Sequence, residues 1–128
     1  HNGKTKTEID ALHIGEIEIL TTPGEIFPEI VYGGIEAPRG ADFAVPPQEI
    51  PPLYEALNGK VRMNWNLAND EIGYIVPKSE WDQAAPYTYD GKGPAYGEIY
   101  TGNPNIGPDI HSGSLAEIRR LHRTLEAM

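Results

Sequence analysis

The chain has 128 residues, of which 39% are apolar and 23% are charged, and it carries a net charge of −9. This length suits one domain with a single core, and the negative charge argues against a nucleic-acid partner because phosphate backbones are bound by basic surfaces. The absence of cysteine excludes disulfides, thiolate metal sites and cysteine nucleophiles. No apolar run approaches the roughly 20 residues of a membrane span, so we expect no transmembrane segment.

The first predicted elements are a strand and a short helix. Residues 12–21 form a partly alternating, isoleucine-rich run that is typical of a half-buried strand. Thr22 then suits a helix N-cap, and Glu25 falls where a capping box needs a carboxylate. We therefore predict a helix over residues 23–31, which Pro28 should end or kink. Glu25 would also lie where ligands gather in open α/β sheets, at the junction of a strand and the next helix.

The rest of the chain predicts several elements separated by long loops, because 14 glycines and 12 prolines favour irregular connections. We expect the polar residues 1–11 to be flexible. The other predicted elements are a short helix over 52–57, strands over 61–67 and 72–76, a single-turn helix over 80–83, a Tyr-, Gly- and Pro-rich loop over 84–105, and an amphipathic helix over 108–126.

Three strands and one long helix are few elements for a chain of this length. They predict an α/β fold, with α+β as the alternative, in which a partial mixed sheet is backed by the C-terminal helix. We expect residues 1–128 to form a single unit that is a fragment of a larger domain. The remainder of that domain, or self-association, would cover the edges and faces that a partial sheet leaves exposed.

Two segments of the chain resemble the neutral/alkaline, non-lysosomal ceramidase-like hydrolases. Residues 12–29, which contain Thr-Pro-Gly-Glu-Ile-Phe, are similar to the strand and P-G-E-F turn of that family. Residues 67–77, Leu-Ala-Asn-Asp-Glu-Ile-Gly-Tyr-Ile-Val-Pro, are similar to its N-D-x-x-G-Y-I block. The match is completed by Glu80-Trp81, by Tyr96-Gly97-Glu98 and by a terminal helix that opens with Gly107-Pro108.

The resemblance implies that the chain is the C-terminal part of a catalytic domain that hydrolyses N-acyl, ceramide-like amide bonds in sphingolipid metabolism. The family uses a single zinc bound by two histidines, one glutamate and one tyrosine, and the last two correspond to Glu25 and Tyr74. The two histidines have no counterpart in matching context, so we expect this chain to be inactive alone. The resemblance further implies an extracellular or periplasmic location for the parent protein.

Each of these residues also has a purely structural interpretation. Glu25 could be only a helix cap, and Tyr74 only a half-buried aromatic residue of a strand. Asn69 and Asp70 are turn formers by type, although they could orient the zinc ligands from behind. Glu29 is the next candidate for a zinc ligand or for such an orienting role, with a simple surface position as the alternative.

Three histidines could be taken for the missing zinc ligands, but their pattern does not support that role. His13, His111 and His122 match no short metal motif, such as two histidines one helical turn apart. We do not expect them to be ligands.

A different class of function remains open beside the enzyme. The proline- and tyrosine-rich loops could bind a partner in a non-catalytic or structural module. Within the loop over 87–100, the tyrosines could instead line an apolar acyl or sugar pocket, since aromatic rings supply large apolar area with a polar tip, or they could simply pack the long loop on itself.

Overall fold

The computed structural model describes residues 4–128 and contains, in that part of the chain, a small mixed sheet, a short two-stranded ladder and one long helix. This arrangement confirms the predicted mixed α/β (α+β) class. The elements in chain order are β1 (Ala11–Ile14), β2 (Ile17–Thr21), β3 (Glu25–Ile26), α1 (Pro28–Tyr32), α2 (Leu53–Ala56), β4 (Val61–Trp65), β5 (Tyr74–Ile75), 3-10 turns at Lys78–Glu80 and Thr88–Asp90, α3 (Tyr96–Ile99) and α4 (Ile106–Glu126).

The segment predicted as one strand is a β-hairpin. β1 pairs with β2 in antiparallel fashion, and β2 pairs with β4 in parallel, which gives the strand order β1-β2-β4. The strands reverse at Gly15, whose φ of +61° is favourable only for glycine at the first central position of a two-residue turn. The alternating pattern continues through this turn, which is why the sequence predicts a single strand.

The predicted helix over 23–31 begins later than expected. Residues 25 and 26 form β3, and α1 begins at Pro28, with Phe27 rather than Thr22 at the capping position. The backbone N–H of Thr22 donates to the carbonyl of Trp65, 2.9 Å away, so it is used in pairing with the β4 segment. Pro28 starts the helix instead of ending it, because proline fits the first helical position, where its missing N–H has no partner to lose.

The start of the described chain is held to the sheet rather than standing apart from it. The N–H of Asp10 donates to Oγ1 of Thr21 at 2.8 Å, and the N–H of Thr21 donates back to the carbonyl of Asp10 at 2.9 Å. Thr7 donates to Asp70 at 2.8 Å. These contacts tie residues 7–10 to the sheet and to its neighbouring turn, and residues 1–3 lie outside the described range.

The core lies between the inner face of the sheet and helices α1, α2 and α4. The buried residues of α4 recur every three or four positions, as at Ile110, Ser114 and Ile118, and this spacing places them on one face. The largest cluster of buried apolar side chains comprises Leu20, Ile26, Ile30, Val31, Leu53, Leu57, Ile75, Ile110 and Ile118.

The opposite face of the three-stranded sheet is apolar, and its side chains on the flanking strands β1 and β4 are exposed, whereas Ile19 in the central strand is buried. Leu12, Ile19 and Met63 are register partners and so lie in one row across this outer face. Trp65 and Ile14, on the same face, are 51% and 59% exposed. The total accessible surface is 7750 Å², about 1,000 Å² more than the roughly 6,700 Å² expected for a compact monomer of this mass.

A buried carboxylate on the inner face joins the sheet to the C-terminal helix. Glu18 is 2% exposed and accepts a hydrogen bond from the N–H of Asn58 at 2.7 Å, while its other contacts are His122 at 3.2 Å and His13 at 3.5 Å. Burial raises the pKa of Glu18, but the hydrogen bonds from Asn58 and His122 and the charge of His122 outweigh it and lower the pKa overall.

Truncating an apolar side chain should be costly inside the core and cheap on the outer face. Ile30→Ala removes a fully buried side chain, and we expect a loss of about 2–5 kcal/mol in the free energy of unfolding. The matched control Ile14→Ala, at an exposed position, should cost less than about 1 kcal/mol. Urea unfolding followed by circular dichroism measures both, and equal losses would contradict this assignment of the two faces.

Glu18 should stabilise the fold only while it is ionised. Because its pKa is lowered in the folded state, its contribution is present above the ordinary glutamate value of about 4.3 and is lost as the pH falls through the lowered value. Glu18→Gln should therefore reduce the free energy of unfolding at pH 7 by about 1 kcal/mol or more, with a difference from wild type that shrinks in acid. The control is the exposed Glu16→Gln, and a pH-independent difference would argue against this role.

Candidate functional site

The short β3–β5 ladder places Glu25 beside Tyr74. The two strands are parallel, and Glu25 and Tyr74 are register partners and the first residues of their strands. The N–H of Glu25 donates to the carbonyl of Gly73 at 3.1 Å, and the N–H of Phe27 donates to the carbonyl of Ile75 at 3.0 Å. Two residues that are far apart in the sequence are thus fixed side by side by backbone pairing.

The side chains of this pair interact directly. Hydrogen bonding of the Tyr74 hydroxyl with the Glu25 carboxylate is the largest cause that raises the pKa of Tyr74 to about 12. Burial and the negative charge of Glu25 act in the same direction, because each disfavours the phenolate. Tyr74 therefore keeps its proton to a higher pH than an ordinary tyrosine.

Two glycines let three chain segments meet at this point. A Cβ at Gly24 would lie 2.3 Å from the carbonyl oxygen of Gly73, and a Cβ at Gly73 would lie 2.1 Å from that of Tyr100. Gly73 also has a φ of +95°, which disfavours other residues. The Gly-Glu and Gly-Tyr pairs in the sequence are thus explained by close backbone packing, which sets the position of both functional side chains.

Glu25 and Tyr74 open into a cleft of about 400 Å³. Aromatic rings form one side of it, since the Tyr96 ring packs 5.6 Å from Tyr74 and 4.9 Å from Tyr100. Glu71 contributes a second carboxylate to the lining. The sequence analysis names Tyr96 and Tyr100 among the tyrosines that could line a pocket. It does not predict Glu71, which has no distinguishing feature in the sequence except that a single residue separates it from the Gly-Tyr pair.

The other residues named from the sequence lie outside this cleft. Nδ2 of Asn69 donates to Asp10 at 2.8 Å, and Asp70 accepts the hydrogen bond from Thr7, so both tie their turn to the N-terminal segment. Glu29 lies in α1. Burial of Glu80 is the main cause that raises the pKa of Glu80, and the negative charge of Glu29 raises it further. The cleft is lined by Glu25, Leu67, Glu71, Ile72, Gly73, Tyr74, Tyr96 and Tyr100.

The three histidines also serve other contacts. His13 and His122 face Glu18, and Nε2 of His111 lies 2.8 Å from the carbonyl oxygen of Pro51. Within residues 4–128, no group of three or more His, Asp or Glu side chains is arranged to hold a metal ion. Glu25 and Tyr74 can therefore supply two oxygen ligands, but not the three protein ligands that catalytic zinc usually has.

Comparisons with known proteins identify no relative of this chain. No family model, no curated protein and no solved structure matches the chain. Among the helices of residues 4–128, none combines the length and the apolar character that a membrane crossing requires.

Removing the acceptor should restore an ordinary tyrosine titration. With Glu25→Gln we expect the pKa of Tyr74 to fall from about 12 toward about 10, because both the hydrogen bond to a charged acceptor and the nearby negative charge are lost. NMR of chains carrying carbon-13 at tyrosine Cζ follows each hydroxyl as the pH rises. Glu71→Gln, in the same cleft, is the control and should leave Tyr74 nearly unchanged. An unaltered titration in Glu25→Gln would contradict the pairing.

Proposed function

We propose that Glu25 and Tyr74 are two ligands of a catalytic zinc in an N-acyl amide hydrolase of which this chain forms part. The observation that carries the proposal is the register pairing of these two residues at one cleft, where the carboxylate of Glu25 is close enough to raise the pKa of Tyr74. The resemblance to the ceramidase-like hydrolases names the same two positions independently of this geometry.

The chemistry of the pair suits such a role in part. Two oxygens that share one zinc at about 2 Å each lie no more than about 4 Å apart, so both side chains must reach the same point of the cleft. Tyr74 must release its proton to become a good ligand, and the positive charge of a bound zinc would favour the phenolate that Glu25 alone disfavours. Bound zinc would supply an activated water for hydrolysis at neutral pH.

The remaining ligands would come from elsewhere in a longer parent protein, so this chain would be inactive alone. We expect the substrate to be a lipid-like or other N-acyl amide, because Tyr74, Tyr96 and Tyr100 offer apolar area beside two carboxylates. In line with the family resembled, the parent would act outside the cytoplasm, in the extracellular space or the periplasm.

A second candidate is a non-catalytic module that binds a partner through its loops. Tyr89, Tyr96 and Tyr100 are 74%, 65% and 56% exposed, and exposed tyrosines are common anchors in protein interfaces. In this alternative Glu25 and Tyr74 would only stabilise the β3–β5 ladder.

The zinc content of the parent protein separates the two candidates. We expect one equivalent of zinc in the wild type, lost in Glu25→Ala and in Tyr74→Phe together with hydrolysis of an N-acyl amide. Tyr100→Phe alters the same cleft without removing a proposed ligand and should retain the metal. Absence of zinc from the correctly folded wild type, or full retention in both ligand variants, would favour the binding module.

A further inference from the structure

A second cavity, of about 180 Å³, is lined by several carboxylates. Glu80, Asp82 and Glu98 contribute to its wall, together with the hydroxyl-bearing Thr88. Phe27 also lines it, and the same ring packs edge-on against Tyr74 at 6.4 Å between centroids. The cavity is therefore a neighbour of the Glu25–Tyr74 cleft but shares neither of the two candidate zinc ligands.

Two of these carboxylates are buried with an oxygen that has no partner. Asp82 is 4% exposed and Glu98 is 2% exposed. Oδ2 of Asp82 accepts hydrogen bonds from the N–H and the hydroxyl of Thr88, at 3.1 and 2.8 Å, but Oδ1 accepts none. Oε2 of Glu98 is likewise buried without a donor. Leaving a buried carboxylate oxygen unpaired is costly, so such an oxygen needs an explanation.

The surroundings of the pair are negative. Burial raises the pKa of Glu98, and the charges of Asp82 and Asp42 raise it further. In residues 4–128, the ion pairs formed by Lys, Arg and His involve Glu16, Glu18 and Glu117, and none involves Asp82 or Glu98. No basic side chain of the described chain thus neutralises the two buried carboxylates by direct contact.

We propose that this cavity binds a hard divalent cation, Ca²⁺ or Mg²⁺, through Oδ1 of Asp82 and Oε2 of Glu98. Carboxylate oxygens are the ligands that these ions prefer, and Mg²⁺ in particular is commonly held by one or two carboxylates while it keeps several waters. A volume of 180 Å³ equals the share of about six water molecules at roughly 30 Å³ each, which leaves room for an ion with part of its hydration shell.

The ion would have a structural consequence for the neighbouring cleft. Asp82 follows the 3-10 turn after β5, whereas Glu98 belongs to α3, so a shared cation joins these two segments. α3 also carries Tyr96, whose ring packs against Tyr74. The cation is therefore a positioning element that holds one wall of the Glu25–Tyr74 cleft, and its binding does not depend on whether that cleft holds zinc.

Thermal unfolding of the complete chain, freed of metal with a chelator, tests the proposal. Addition of Ca²⁺ or Mg²⁺ at an ionic strength of about 0.15 M should raise the Tm of the wild type, because a ligand that binds only the folded state stabilises it. Asp82→Asn and Glu98→Gln keep the shape of each side chain and should abolish the shift. Glu55→Gln removes an exposed charge away from the cavity and should retain it.

The Glu98→Gln variant also tests whether a lost response to the cation is caused by misfolding. It removes a charge that Asp82 and Asp42 repel, so in chelator this variant should be at least as stable as the wild type while it no longer responds to the cation. Calorimetric titration should give one bound ion per wild-type chain, and comparison of Ca²⁺ with Mg²⁺ identifies the preferred ion.

Two results would overturn the proposal. A Tm shift of equal size in the wild type, Asp82→Asn and Glu98→Gln would mean that the cation only screens the net charge of −9. No shift in the wild type at saturating Ca²⁺ and Mg²⁺ would mean that the unpaired oxygens are accommodated by protonation or by water alone.

Discussion

The structure depends on the pairing of two very short strands, β3 and β5. This ladder joins the segment that follows the N-terminal hairpin to the segment that follows β4, and it requires glycine at position 24, where a Cβ would lie 2.3 Å from the carbonyl oxygen of Gly73. Ile26 and Ile75, the second pair of the ladder, belong to the main buried cluster. The same pairing therefore fixes part of the core and the relative position of Glu25 and Tyr74.

The candidate site and the carboxylate-lined cavity meet at Phe27. Its ring contacts Tyr74 on one side and helps line the cavity of Asp82 and Glu98 on the other. Gly97 allows this arrangement, since a Cβ there would lie 2.8 Å from the ring. Acidic side chains thus lie on both sides of one aromatic ring, and the pKa values of Tyr74 on one side and of Glu98 on the other are both raised.

Sequence reasoning recovers the local features of this fold better than its long-range ones. The periodicity over 108–126 predicts α4 almost to its ends, and the alternation over 61–67 predicts β4. The helix predicted over 23–31 is wrong at its start because backbone pairing with the distant β5 segment overrides a favourable capping pattern. Glu25 and Tyr74 are named by the resemblance, yet their contact depends on register between distant segments, which no local pattern encodes. Asp82 lies in an irregular segment and Glu98 in the single-turn helix α3, so their burial leaves no periodic signal in the sequence.

The apolar outer face of the three-stranded sheet has a consequence for how the chain behaves as conditions change. Contacts between charged surfaces weaken when salt is added, because the charges are screened. Burial of apolar surface instead weakens on cooling and is strengthened by excluded salts such as sulfate. Raising the ionic strength therefore screens the repulsion that a net charge of −9 places between copies of the chain, whereas any burial of this apolar face would not be weakened by the added salt.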